Sequence, residues 1–267
     1  MGIFQAIILG IIQGLTEFLP VSSSGHVELG SVFFGIQSKD NLLFLTIIHG
    51  ATSLSTILVY RNDIYEIFKD LLSFKITESL HFTLKILFSA IPVFILGVFF
   101  SEEVEYFFGG KTALVGTMLL ITGLLLTFAQ FKGNTAGKIS YPKAFLIGIA
   151  QAIAVIPGIS RSGATISSSL LLGVEKENAT RFSFLMVLVP ILGAMLLDII
   201  KLAENPVLSK GISVGALFAG FIAAFITGII ACRWMINIVK KGKLIYFAIY
   251  CFIIGLTAII IAWVYAG

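Results

Sequence analysis

Charge is scarce in this 267-residue chain. Asp, Glu, Lys and Arg make up 12% of it, about half of the ~25% usual in a soluble domain, while 58% of the residues are hydrophobic. That excludes a soluble globular domain and indicates a polytopic membrane protein. Cysteine is nearly absent. Cys232 and Cys251 fall in or at the end of apolar runs, which excludes a disulfide framework or a thiolate metal site and leaves two small packing residues. The N-terminus has no basic n-region and no small-residue cleavage site, so no removed signal peptide is expected. The net charge of +4 is spread over short loops; with no basic face, nucleic acid is not an expected partner. No stretch is polar enough for a large soluble domain.

What remains is a series of apolar runs. A full span needs about 20 residues, and six segments qualify: 42–60, 81–100, 111–131, 182–201, 213–232 and 244–265. Two others do not. Ile3 to Leu19 breaks at Pro20 and resumes near Val27 to Phe34; Ala144 to Ile156 breaks at Pro157-Gly158 and resumes near Ile166 to Leu172. Each reads as helix–break–helix, too short on either side to span. That is the pattern of a re-entrant hairpin, whose irregular backbone must lie inside protein or line a wet cavity. The expected fold is therefore all-α, with six full transmembrane helices and two re-entrant hairpins.

The basic residues orient it. Loops 61–80, 132–143 and 233–243 carry ten Lys and Arg, among them Arg61, Lys138 and Lys241, and are assigned to the cytoplasm. Loop 101–111, with Glu102, Glu103 and Glu105, and loop 202–212, with Lys210, are assigned outside. The first hairpin then enters from outside and the second from inside. Such an inversion implies a repeat. Aligning residue n with n+138 over Ala6 to Gly25 matches seven of twenty positions: Ala6/Ala144, Gly10/Gly148, Ile11/Ile149, Gln13/Gln151, Ser22/Ser160, Ser24/Ser162 and Gly25/Gly163, where about two are expected by chance. Residues 1–131 and 132–267 form the two inverted repeats of one membrane domain, each a hairpin plus three spans. Folds of this type place their site near the midplane, where broken helices meet.

The chemistry-bearing residues gather at the two breaks. Gln13 and Glu17 are four apart, on one helix face. Ser22, Ser23, Ser24 and Gly25 offer hydroxyls and backbone N–H groups at a turn, and Ser160, Ser162 and Gly163 repeat the device, with Arg161 added and Thr165 following. A helix starting at either turn adds a positive dipole end, suited to a phosphate. Arg161 is the sharpest signal. An isolated Arg at membrane depth costs roughly 2.5–3.5 kcal/mol or more, and its planar fork suits phosphate oxygens. His26 follows the serine turn directly and is able to act as acid, base, nucleophile or metal ligand. His49 lies in a span and reads as packing or hydrogen bonding. His81 and the aromatics Trp234, Trp263 and Tyr265 read as interfacial. Asp198 and Lys85 read as snorkelling or mutually paired, and Glu175-Lys176-Glu177 as a solvated turn.

The stretches Gln13-Gly-Leu-Thr-Glu17-Phe-Leu-Pro-Val-Ser-Ser-Ser-Gly-His26 and Pro157-Gly-Ile-Ser-Arg161-Ser-Gly-Ala-Thr165 resemble the two signature motifs of the bacterial undecaprenyl-diphosphate phosphatases, also called bacitracin-resistance proteins. Length and hydropathy agree over essentially the whole chain. The resemblance implies hydrolysis of undecaprenyl diphosphate to the monophosphate and inorganic phosphate, which recycles the lipid carrier for peptidoglycan and cell-wall synthesis. It implies a divalent cation such as Mg or Ca, and a multi-pass protein of the bacterial plasma membrane with its site reached from the outer face. The family's motif serine falls on Ser23, its histidine on His26 and its arginine on Arg161. Its first motif opens with Glu or Gln; here it is Gln13, so Glu17 is the one charged metal ligand. Ser23, His26 and a metal-activated water all stand as nucleophile, with Ser23 preferred and His26 or Glu17 as its base. The expected partners are the polyprenyl diphosphate and the bilayer; a homo-oligomer is compatible with the sequence. The competing class is a polyprenyl-phosphate transporter or flippase, which would need Arg161 but has less need of Glu17, Ser23 and His26 together.

Overall fold

The structure, a computed structural model, describes residues 1–36, 42–73, 77–100, 103, 106–107, 111–132, 136–204 and 212–266. Glu102, Glu105 and Lys210, on which the assignment of the outer loops leans, lie outside the described residues, as does Lys75. Among the described residues the chain is helical, with one isolated β-bridge between Gly137 and Val174. In chain order the helices are α1 (Ile3–Phe18), α2 (Ser23–Phe33), α3 (Leu42–Val59), α4 (Arg61–Leu72), α5 (Glu78–Phe99), α6 (Thr112–Phe131), α7 (Tyr141–Ile153), α8 (Arg161–Leu171), α9 (Lys176–Glu204), α10 (Val214–Lys240) and α11 (Ile245–Ala266).

Six of these, α3, α5, α6, α9, α10 and α11, are long and apolar enough to cross a bilayer, and they match the six expected spans. At 1.5 Å per residue, the 22 residues of α5 reach about 33 Å, against a hydrocarbon core of about 30 Å. The 16 residues of α1 and the 11 of α8 fall short of it. Their sequences break where the backbone cannot continue a helix, at Pro20 and at Pro157-Gly158. Pro92 and Pro190 instead sit inside α5 and α9, tolerated where neighbouring helices satisfy the freed carbonyls.

Three readings need correction. Residues 61–72 form the helix α4 rather than loop; α4 has no buried residue, so hydropathy alone gives it no signal. Lys176 and Glu177 open α9 rather than forming a solvated turn, and α10 continues through Arg233 to Lys240 rather than ending in a loop at 233. Both helices outrun their apolar segments because helical hydrogen bonding does not stop where hydropathy does. Lys85 and Asp198 are held separately: Lys85 lies 5.6 Å from the Tyr141 ring centre, and Asp198 accepts from Thr46 Oγ1 at 3.2 Å.

The charged segments meet at one end of the bundle. Lys138 pairs with Glu78 at 3.7 Å, Arg181 with Asp63 at 2.5 Å and Lys240 with Glu177 at 2.9 Å. The second hairpin opens toward that same end, since Gly137, before α7, exchanges backbone hydrogen bonds with Gly173 and Glu175, after α8. The first hairpin opens at the other end: Met1, Phe34 and Ile36 pack against the cluster of Ala6, Leu9 and Ala216 beside the start of α10, whose far end carries Lys240 of the charged end. The halves are not separate bodies. The most extensive packing joins α1 to α10 and α6 to α11, each pair taking one helix from each half. The α1–α10 contact is backbone-close, because a side chain on Gly14 would lie 2.5 Å from the Ala224 carbonyl oxygen; small residues permit such approach between helices in lipid. Cys232 and Cys251 are buried and free, as packing residues, and Trp234 and Trp263 are exposed on the outside of the bundle.

Candidate active site

The two breaks meet at the centre of this packing, and they are built alike. Ser22 caps α2 and Ser160 caps α8, each with its side-chain oxygen accepting a backbone N–H three residues on: Gly25 N at 3.3 Å and Gly163 N at 3.0 Å. In each turn the cap serine also meets the hydroxyl two residues later, Ser24 at 3.4 Å and Ser162 at 3.2 Å. The turns are stitched to one another. Gly158 N donates to Ser22 Oγ at 3.2 Å, and Ser162 Oγ donates to the Leu19 carbonyl at 3.3 Å. Thr122 on α6 holds the second break from behind, donating to the Gly158 carbonyl at 3.1 Å and accepting from Ser160 N at 3.1 Å.

This stitching requires unusual backbone. Gly158 has φ +98°, and a side chain there would lie 2.4 Å from the Val115 carbonyl oxygen. Ser22 is the non-glycine residue with positive φ, +70°, among the described residues. Such a conformation costs on the order of 1–3 kcal/mol and is held only where surrounding contacts over-determine it; here the Ser22 hydroxyl serves two backbone donors. The capping explains most of the candidate polar residues. Ser22, Ser24, Ser160 and Ser162 face the turns themselves, and Thr165 Oγ1 donates back to the Arg161 carbonyl at 2.8 Å.

The first helical residue after each cap points instead at Glu17. Ser23 Oγ donates to Glu17 Oε2 at 2.5 Å, and Arg161 Nη2 donates to Glu17 Oε1 at 3.2 Å. Gln13 Nε2 also reaches Oε2, at 2.8 Å. The Glu17 side chain is 7% exposed and that of Arg161 23%, so the pair is buried but open on the guanidinium side. A carboxylate this close to a serine hydroxyl is positioned to take its proton. The N-termini of α2 and α8 converge at the same place, adding two positive dipole ends to the guanidinium. The arrangement suits an anionic group and a nucleophile together.

His26 is not part of that cluster. Its Nδ1 lies 2.9 Å from the Ser22 carbonyl and its Nε2 2.9 Å from the Tyr250 hydroxyl. Of the two bases expected for Ser23, the structure places Glu17 on it. His81 bonds to the Tyr141 hydroxyl at 3.0 Å. His49 lies near enough to Glu17 and Arg161 for direct electrostatic interaction, so it belongs to the neighbourhood of the site rather than to packing alone.

Sequence reasoning missed the wall opposite Glu17. Thr52, Ser53 and Thr56 of α3 line, with Glu17 and Arg161, a cavity of about 20 Å³, enough for one water molecule. Ser53 Oγ is buried with no hydrogen-bond partner. The signal was in the sequence: Thr46, His49, Thr52, Ser53 and Thr56 recur at helical spacing, a polar stripe on an otherwise apolar span.

A divalent cation can be tested against the donors present. Among the described residues no three His, Cys, Asp or Glu side chains gather as a metal cage. Gln13 Oε1, however, is buried without a partner, and its amide cannot be reversed because Nε2 serves Glu17. That oxygen and the Glu17 carboxylate are hard donors of the kind that Mg and Ca take, with substrate oxygens and water completing the shell. The residues fit such an ion.

Known proteins bear on this geometry. A family model described as bacitracin resistance protein BacA matches residues 6–257. The chain is 54% identical over 265 residues to a protein of Christiangramia forsetii named undecaprenyl-diphosphatase, covering 98% of this chain and 99% of that one. It is 51% identical over 260 residues to one of the same name from Bacteroides fragilis, covering 97% and 98%, and 37% identical over 266 residues to one from Korarchaeum cryptofilum, covering 96% and 98%. With the family model spanning nearly the whole length and identity above one half, the chain belongs to the bacitracin resistance protein family.

Proposed function

We propose that this protein is an integral membrane phosphatase that hydrolyses undecaprenyl diphosphate to undecaprenyl phosphate and inorganic phosphate. The names of its relatives support the reaction, and one observation carries the assignment of roles: a buried carboxylate that holds a serine hydroxyl on one oxygen and a guanidinium on the other.

Glu17 accepts the Ser23 proton as Ser23 Oγ attacks the terminal phosphorus. The bond from that phosphorus to the bridging oxygen breaks, and undecaprenyl phosphate leaves with the bridging oxygen. Water then cleaves the seryl phosphate, releasing inorganic phosphate and restoring Ser23. Phosphoryl transfer of this kind depends chiefly on positioning and charge neutralisation. Arg161 and the N-termini of α2 and α8 supply the neutralisation, while Ser22, Ser24, Gly25, Ser160, Ser162, Gly163 and Thr165 hold the two turns at the distance the diphosphate needs. Glu17 and Gln13 Oε1 would hold a Mg or Ca ion, which when bound neutralises charge on the diphosphate oxygens. The site faces the outer side of the plasma membrane, in keeping with the basic segments gathered at the opposite end from the first hairpin's opening. The polyprenyl tail stays in lipid, since it is as apolar as the bilayer.

The test is phosphate release from a polyprenyl diphosphate by purified protein in detergent, with and without a chelator, beside Glu17→Gln. Release is expected to need the cation and to fall at least ~10²-fold in the variant, the scale of one acid–base group. Folded protein that retains the lipid but releases no phosphate would point to a carrier.

A further inference from the structure

Both nitrogens of His26 are engaged, and the engagement settles their roles. The Ser22 carbonyl 2.9 Å from Nδ1 accepts only, so Nδ1 carries the proton. Nε2 is then the acceptor, and the Tyr250 hydroxyl 2.9 Å away is the donor. The two rings also stack, with centroids 5.6 Å apart and 15° between planes. Tyr250 stands on α11, 224 residues along the chain from His26. Its neighbour Cys251 is aimed at the same hairpin, with Sγ 3.7 Å from the Pro20 carbonyl. One turn of α11 therefore grips the first break at its proline and at its imidazole. Tyr250 itself is 39% exposed, whereas Gln13, Ser23 and the Glu17 side chain are buried.

We infer that Tyr250 is a positioning residue for His26: its hydroxyl, donating to Nε2, backs the Nδ1–H tautomer that the Ser22 carbonyl selects and holds the ring turned away from Ser23. The inference rests on the phosphatase reading for its kinetic consequence, though not for the tautomer itself. It divides the labour of the site. Glu17 serves the hydroxyl of Ser23, and His26, tied to the Ser22 carbonyl on one side and to Tyr250 on the other, braces the turn that carries Ser23. A ring free to turn would hold the Ser22–Ser23 turn less firmly, and with it the hydroxyl that Glu17 serves.

Tyr250→Phe separates the two contributions, since it keeps the stack and removes the donor. The variant is expected to lose about tenfold in kcat, the scale of one lost hydrogen bond, with KM nearly unchanged. In a His26→Ala background the same change should cost nothing more. A drop of equal size in both backgrounds would make Tyr250 a packing residue and overturn the inference, as would an unchanged kcat in Tyr250→Phe. A second arm does not depend on turnover. The chain has three histidines, so ¹⁵N-histidine labelling in nanodiscs, with His26→Ala to assign the signal, reads the tautomer directly. Wild-type protein should show protonated Nδ1 and unprotonated Nε2, and Tyr250→Phe should shift Nε2, which loses its donor, while Nδ1 stays protonated. Identical spectra would overturn the positioning role even in a protein that hydrolyses lipid diphosphates; a shifted spectrum in a protein without hydrolysis would instead leave the positioning intact and sink the phosphatase reading.

Discussion

Ser22 and Ser160 each cap a short helix through a glycine three residues on, and each touches a second serine hydroxyl two residues later. At the position between, the turns part company: Ser23 in the first, Arg161 in the second. Both of these side chains reach Glu17, one on each carboxylate oxygen. The counterpart of Glu17 in the second half is Val155, and that of His26 is Ala164. The repeat has thus kept its scaffold twice and its carboxylate and imidazole once. One matched pair of turns delivers a hydroxyl and a guanidinium to the same acid, one on each of its oxygens, an arrangement that two unrelated loops would have to reach independently.

If that division holds, the position that differs should matter most to turnover and least to folding. Ser23→Ala and Arg161→Ala leave both caps intact, so each protein should elute as wild type in size-exclusion chromatography. Phosphate release should fall by about 10²–10³ or more, the cost of removing a nucleophile or a preorganised charge. Arg161→Lys should not restore it, because an ammonium lacks the planar fork. Near-normal release from Arg161→Ala would break the comparison, since the second turn would then contribute scaffold alone.

Next comes the backbone at which the turns touch. Gly158→Ala meets both a positive φ and the Val115 carbonyl, and should destabilise by about 1–3 kcal/mol or more. Gly25→Ala, within α2, meets its nearest atoms at 3.1–3.2 Å and calls for shifts of a few tenths of an ångström. Thermal unfolding in detergent should therefore rank Gly158→Ala well below Gly25→Ala. Equal effects would mean that the second turn is less rigid than its stitching to Ser22 and Thr122 implies.

How much of this could be read beforehand follows from what kind of interaction carries it. Span positions depend on local hydropathy, and all six were legible. The matched turns were legible because Ser22/Ser160 and Gly25/Gly163 are local caps with local spacing. The short helix α4 was not, because its charged and apolar residues average out over a window. Nor was the His26–Tyr250 pair, which joins residues 224 apart with no motif between them. The α3 stripe stood between these cases: Thr52, Ser53 and Thr56 are visible as a periodic polar face, but a span that satisfies hydroxyls on its own carbonyls, as Thr52 and Thr56 do, looks the same until the facing Glu17 is known.

The smallest expected effect probes the one matched pair whose members have different fates. Gln13 and Gln151 occupy equivalent places, and both are fully buried. Gln13 donates to Glu17. Gln151 finds Val155 where that acid would be, and both its amide oxygen and its nitrogen lack hydrogen-bond partners. A buried amide without partners costs about 1–3 kcal/mol, so Gln151→Met should leave phosphate release unchanged and raise the unfolding temperature slightly. Gln13→Met removes a hydrogen bond to a charged group, a loss of about 1.5–3 kcal/mol, along with the amide oxygen that fits a cation, and should lower turnover tenfold or more. The contrast is informative in either direction. A harmless Gln151→Met would make Gln151 a remnant of the symmetry, retained by the scaffold after the chemistry settled in the first half. A Gln151→Met as damaging as Gln13→Met would mean that the second amide has a ligand of its own, and that the two halves differ less in function than in sequence.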